Sequence, residues 1–249
     1  MNTWHLFSSM MLITCALAVT GCDELSDVED RGEGELVTTL YGESFIEEGI
    51  PAEEMADGWS VTFDRFVVTL GSVQVGGTQD ASVDPIDISQ ETSGEGQSIS
   101  SAIVPVGEYS DASFTITRIA FSGSASRGDL IKTFDWVFEQ ETHYSHCEAI
   151  TRVEEGETST FQITIHADHF FYDSLVSETP QVVFQALADA DLDGDGEITR
   201  AELEVTDIGG YDSGSAGEVN DMWAWLSAQS RTLGHVNGEG HCDAHVHPR

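Results

Sequence analysis

Trp59-Ser60-Val61-Thr62-Phe63-Asp64-Arg65-Phe66-Val67-Val68-Thr69-Leu70-Gly71-Ser72-Val73-Gln74-Val75 decides the fold class. Trp59, Val61 and Phe63 alternate with polar neighbours. After Asp64 and Arg65 the alternation resumes at Phe66, Val68 and Leu70, and again at Val73 and Val75. Successive side chains of a strand point to opposite faces, so period two marks half-buried strands. The pattern returns at Phe114, Ile116 and Ile119, at Phe134, Trp136 and Phe138, and at Phe161, Ile163 and Ile165. Residues 78–100 read as polar and turn-rich. Short strands broken by Gly, Ser and Asp predict a mainly β chain, an antiparallel β-sandwich over residues 36–179.

After Pro180 the periodicity turns helical. Helices are expected over Pro180–Ala190, Thr199–Val205 and about Glu218–Leu233, the last ended by Gly234. Residues 180–249 therefore read as a C-terminal helical region on the sandwich, with no internal repeat.

The formal charge is −36, with only nine Lys and Arg. That excludes nucleic acid as a partner, because phosphate contacts need cationic side chains. It equally disfavours a basic patch on an anionic membrane surface, and it suits a solvated extracytoplasmic protein and a sink for cations.

The apolar run Leu6–Val19 is too short to span a bilayer as a helix and ends in Val19-Thr20-Gly21-Cys22. This resembles the lipobox of bacterial lipoproteins, although His5 stands where Lys or Arg usually precedes the run. The resemblance implies a signal peptide over residues 1–21, acylation of Cys22, a lipid anchor in the membrane and a place at the cell envelope, periplasmic or surface-exposed. Residues 22–35 are acidic, with few large apolar side chains, and read as a tether. Cys147 and Cys242 remain. Outside the cytoplasm such a pair is expected to form a disulfide, with metal ligation the alternative.

Asp191-Leu192-Asp193-Gly194-Asp195-Gly196-Glu197-Ile198-Thr199-Arg200-Ala201-Glu202 resembles the EF-hand calcium loop. The resemblance implies Ca2+ ligation by Asp191, Asp193 and Asp195, by the carbonyl of Glu197, by Thr199 through water and by Glu202 through both oxygens, with Gly196 at the sharp turn. Ile198 would ordinarily pair with a second hand. None is found, so a structural role is expected rather than a switch.

Eight of the nine histidines lie between His143 and His247. They form three clusters: His143 and His146; His166 and His169; His235, His241, His245 and His247. Imidazole binds zinc, copper and iron near neutral pH, so a shared site among His143, His146, His166, His169, His235 and His241 is expected. His166 and His169 can serve one ion only if the strand ends between them in a turn. The aromatic run Phe170-Phe171-Tyr172 is expected to form a dry shell, with Asp168 and Asp173 as acceptors behind the ligands. No spacing matches a named zinc motif.

Val104-Pro105-Val106-Gly107-Glu108-Tyr109 resembles a turn of bacterial lipoprotein sandwich domains, including copper-binding periplasmic ones. The His-x-x-His followed by Tyr-Asp, the calcium loop and the terminal Gly-His-x-x-Gly-x-Gly-His-Cys together resemble EF-hand lipoproteins of myxobacterial type, a likeness that carries no mechanism. The expectation is a non-enzymatic lipoprotein that captures a transition metal beside calcium and releases it on protonation near pH 6, with an envelope protein as possible partner. The competing readings are a calcium-stabilised surface module for adhesion with no transition metal, and a metalloenzyme using Glu239 or Asp168 as acid or base.

Overall fold

The alternating stretch folds as one long strand, Ser60–Val75, and its interruptions are β-bulges. Its register against the neighbouring strand slips between Phe63 and Arg65, and again between Thr69 and Ser72. Each bulge inserts one residue and restores the facing. Val61, Phe66, Val68, Leu70, Val73 and Val75 therefore all reach the core although they do not share one sequence parity. At the first bulge Gly123 lies opposite, where a Cβ would stand 2.0 Å from the carbonyl oxygen of Thr62.

The computed structural model describes Met1 and residues 32–80, 83–215 and 217–246. Cys22 and the rest of the expected signal peptide and lipobox lie outside the described residues, as does His247. The strands in chain order are β1 (Glu33–Gly42), β2 (Ser60–Val75), β3 (Thr78–Asp80), β4 (Val83–Asp87), β5 (Gln97–Pro105), β6 (Gly107–Tyr109) and β7 (Ser113–Arg127), then β8 (Leu130–Phe138), β9 (Thr142–Ser145), β10 (Thr151–Val153), β11 (Thr158–Ile165), β12 (Glu197–Ile198), β13 (Gly234–Val236) and β14 (Asp243–Val246). The helices are α1 (Ser44–Glu47), α2 (Gln185–Ala188), α3 (Arg200–Leu203) and α4 (Met222–Gln229).

The protein is mainly β. One sheet runs β12-β8-β7-β2-β3, with β4 also on β2, β9 on β7 and β14 on β9; a second runs β13-β11-β1-β5, and β10 and β6 form a small two-stranded sheet. Leu36 and Leu40 of β1, Phe161 and Ile163 of β11, Phe66 of β2 and Phe121 of β7 belong to one buried cluster. The sheets are mixed, not purely antiparallel as expected. β1 lies parallel to β11 from Glu35↔Thr158 to Gly42↔Ile165, and β12 lies parallel to β8. A parallel pair needs a long crossover, and the chain between β1 and β11 supplies it by building most of the other sheet. β1 also begins at Glu33, so the last residues assigned to the tether belong to the sheet.

The C-terminal region departs most from expectation. Gly32–Arg249 is one compact unit, and the described residues after Pro180 are woven into the two larger sheets through β12, β13 and β14. α2 and α3 have four residues each and α4 has eight. Their starts are fixed by side-chain caps. Asp57 accepts from the amides of Phe184 and Gln185 at 2.6 and 2.7 Å, so a residue far back in the chain begins α2. Asp221 accepts from Ala224 N at 2.8 Å and starts α4 later than the periodicity suggests.

Candidate metal centre

β11 ends at Ile165, and the amide of His166 donates to the carbonyl of Leu233 at 3.0 Å. A 3-10 turn over Asp168–Phe171 follows at once. The strand therefore ends just before His166, and the expected turn folds His169 back beside His166. β13 supplies the third imidazole. It pairs with β11 with Thr164 opposite His235, which sets His235 beside His166, two residues further along the same face. Gly234 does not end a helix; it opens β13, and a Cβ there would lie 2.7 Å from Cζ of the buried Tyr144 ring.

Ring centroids are 4.2 Å apart for His166 and His235, 5.1 Å for His169 and His235, and 5.6 Å for His166 and His169. One nitrogen from each of the three lies within 4.8 Å of the others. The His241 ring is 5.1 Å from that of His235. Cys147 and Cys242 are bridged, which removes them as metal ligands. The bridge fixes the loop carrying His241, whose carbonyl accepts from Glu148 N at 2.7 Å.

The hydrogen bonds set the tautomers. His166 Nε2 lies 3.1 Å from the carbonyl oxygen of Gly238, an acceptor only, so Nε2 carries the proton and Nδ1 keeps its lone pair. The Thr232 hydroxyl donates to Gln229 O at 2.9 Å and therefore accepts from His169 Nδ1 at 2.9 Å. That leaves His169 Nε2 with a lone pair. His235 Nδ1 and Asp168 Oδ1 are buried with no hydrogen-bond partner. Such orphans are costly in a native interior, and each residue belongs to a donor triad, His235 with His166 and His169 and Asp168 with Glu43 and His166.

Burial pushes His169 down to about 4 and His235 down to about 3, helped by the neighbouring imidazoles, so both are neutral at neutral pH. Glu43, from the residue that begins α1, has one oxygen 3.4 Å from His166 Nδ1 and another accepting from Ala167 N at 3.1 Å. Burial and the nearby charge of Asp168 push its carboxyl up to about 8. Glu43, His166 and Asp168 make a second donor triad that shares His166 with the first. Tyr172 OH donates to Asp168 Oδ2 at 2.7 Å, and its ring lies tilted against that of His169, with centroids 4.7 Å apart. All these groups line one open cleft of about 680 Å3.

The aromatic shell is only partly as expected. Tyr172 faces the histidines, but Phe170 packs against Phe66, Phe121 and Phe138 in the core. Asp173 is occupied elsewhere, accepting from Gln181 N at 2.9 Å. His143 and His146 do not join the centre. His143 Nδ1 meets Thr115 Oγ1 at 3.0 Å, and His146 is exposed, next to Asp243. Sequence reasoning missed Glu43, because no local pattern links it to residues more than a hundred positions away.

The calcium-like loop has its own geometry. Carboxylate oxygens of Asp191, Asp193 and Glu202 lie within 4.8 Å of one another. The amides of Gly194 and Gly196 donate to Asp191, that of Asp195 to Asp193 and that of Glu197 to Asp195, at 2.8–3.1 Å. Thr199 caps α3 and forms a capping box with Glu202. Ile198 is fully buried and pairs through β12 with Phe134 of β8. The flanking helices are single turns, so the loop's frame is the sheet, not a long helix pair. No protein-family model, curated protein or solved structure matches this chain.

Proposed function

We propose that this chain is an envelope-anchored lipoprotein that binds one transition-metal ion, zinc, copper or iron, through His166, His169 and His235, and one calcium ion through the loop 191–202. The observation that carries the reading is the arrangement of lone pairs. Two imidazoles are locked by Gly238 and Thr232 in the tautomers that leave a nitrogen free, and the third has a buried nitrogen with no partner. A site made of neutral imidazoles backed by hydrogen-bonded acceptors suits borderline metals. Bound metal would turn the desolvation cost of these groups into binding energy.

The chemistry is capture. His166, His169 and His235 hold the ion, Glu43 and Asp168 offset its charge from one side, and the cleft leaves a path for entry. Calcium would neutralise Asp191, Asp193, Asp195 and Glu202 and so hold β12 on β8. The lipobox resemblance at Cys22 supports the anchor. Calorimetric titration of chelated protein with zinc, copper(II) or iron(II) tests the metal site. One tight equivalent, lost in His235→Phe with the fold retained, is expected; equal binding by both proteins would refute it.

A further inference from the structure

A second cluster of donors lies outside the buried centre. His146, Asp243 and His245 each offer a ligand atom within 4.8 Å of the others, and all three are exposed. We propose that they form a separate surface site for a divalent first-row transition ion, assembled by the Cys147–Cys242 bridge.

Placement follows from the backbone. β9 and β14 pair antiparallel, with His143 opposite His245 and Ser145 opposite Asp243. The next residue of each segment, moving outward, leads into the disulfide: His146 precedes Cys147, and Asp243 follows Cys242. The bridge thus clamps the two ligand-bearing segments at the point where the ladder ends. His146 adopts φ 50°, a left-handed conformation that non-glycine residues rarely take. This conformation brings its ring to Asp243, with Nδ1 3.1 Å from Oδ2. A carboxylate accepts, so Nδ1 carries the proton and Nε2 keeps a lone pair. Two imidazoles and one carboxylate form a donor set that suits Zn2+, Ni2+ and Cu2+. The site binds more weakly than the buried one, because exposed side chains must lose rotamer freedom to bind.

Linkage follows from the assembly. An ion that binds the clamped arrangement better than the open one stabilises the disulfide, and the bridge strengthens ion binding by the same factor. Metal at this site therefore makes Cys147–Cys242 harder to reduce.

The test uses the full chain and copper(II) or zinc alone, with His146→Ala/His245→Ala as the variant. These side chains are solvated, so the fold is retained, and the melting temperature checks it. Wild type is expected to take up one more, weaker equivalent than the variant. Reduction by a phosphine, a reductant free of thiols, is expected to abolish that equivalent. Excess zinc is expected to slow reduction of the bridge in wild type at least threefold and not in the variant. Equal stoichiometry in the two proteins overturns the proposal. So does a surface equivalent that survives reduction. Failure of the buried site would give one equivalent against zero and leaves this outcome readable.

Discussion

Lys132 donates to Asp191, tying the first carboxylate of the calcium-like loop to β8. It is the chain's only lysine, and the Asp191 side chain is fully covered beneath it. A +1 ammonium thus sits where a dication would need the same oxygen. The amides of Gly194 and Gly196 add to this hold, and the Lys132 bond most of all keeps the Asp191 carboxyl below its usual range.

Lys132→Met is therefore expected to tighten calcium binding about tenfold, about 1.4 kcal/mol, and to lower the melting temperature of calcium-free protein. Calorimetry with and without calcium separates the two effects. Weaker calcium binding in the variant would mean that Lys132 helps the loop hold its shape.

Glu43 gives a pH-dependent stability of defined sign. Its folded value of about 8 lies above the ordinary 4.5. The folded state then holds a proton that the unfolded state loses, so this contribution is full below about 4.5 and is lost as pH rises through 8. In metal-free protein Glu43→Gln is expected to remove that alkaline loss, on the order of a few kcal/mol. Denaturant melts at about pH 5 and pH 9 check it. Parallel pH profiles for variant and wild type would refute the buried proton on Glu43.

His169 and His235 shift the opposite way. With folded values of about 4 and about 3 against the ordinary 6.5, their contribution to stability is full above 6.5 and declines as pH falls toward the folded values. They also resist proton competition for metal. Two unperturbed imidazoles would lose about a hundredfold in affinity between pH 7.5 and 5.5, whereas in Glu43→Gln, where no carboxyl proton has to be displaced, proton competition at His169 and His235 is expected to cost less than about threefold. Equilibrium dialysis at the two pH values decides.

Gly234→Ala is expected to destabilise the fold by about 1–3 kcal/mol. The new methyl would push on Tyr144, whose ring stacks on Phe114 at 4.7 Å and whose hydroxyl donates to Arg231 O at 3.0 Å. Chemical denaturation measures the loss, and metal titration of the same variant is expected to show weaker binding, since His235 is the next residue.

The strands were legible because their burial is local and periodic. Val61, Phe66 and Val73 lie on the inward face as the alternation requires, and even the break at Asp64-Arg65 corresponds to a bulge. The Cys147–Cys242 disulfide was legible from the expected compartment and the cysteine count. The turn that brings His169 back to His166 was legible as a condition that one shared ion would impose, although the strand ends earlier, at Ile165. Partners at long range were not. Nothing near Glu35 announces Thr158 as its parallel neighbour, and nothing near Phe184 announces Asp57 as the helix cap. The same limit hid Glu43 from the metal centre. It also grouped His143 and His146 with histidines from which the fold separates them, because clustering in sequence cannot tell which side of a sheet each segment reaches.

The most direct test is the metal content of mature, untagged protein purified without chelator, read by elemental mass spectrometry. The account predicts at least one zinc, copper or iron ion per chain beside one calcium, with one transition ion persisting in His146→Ala/His245→Ala. Calcium alone would contradict the buried metal centre and leave His166, His169 and His235 as framework around the disulfide.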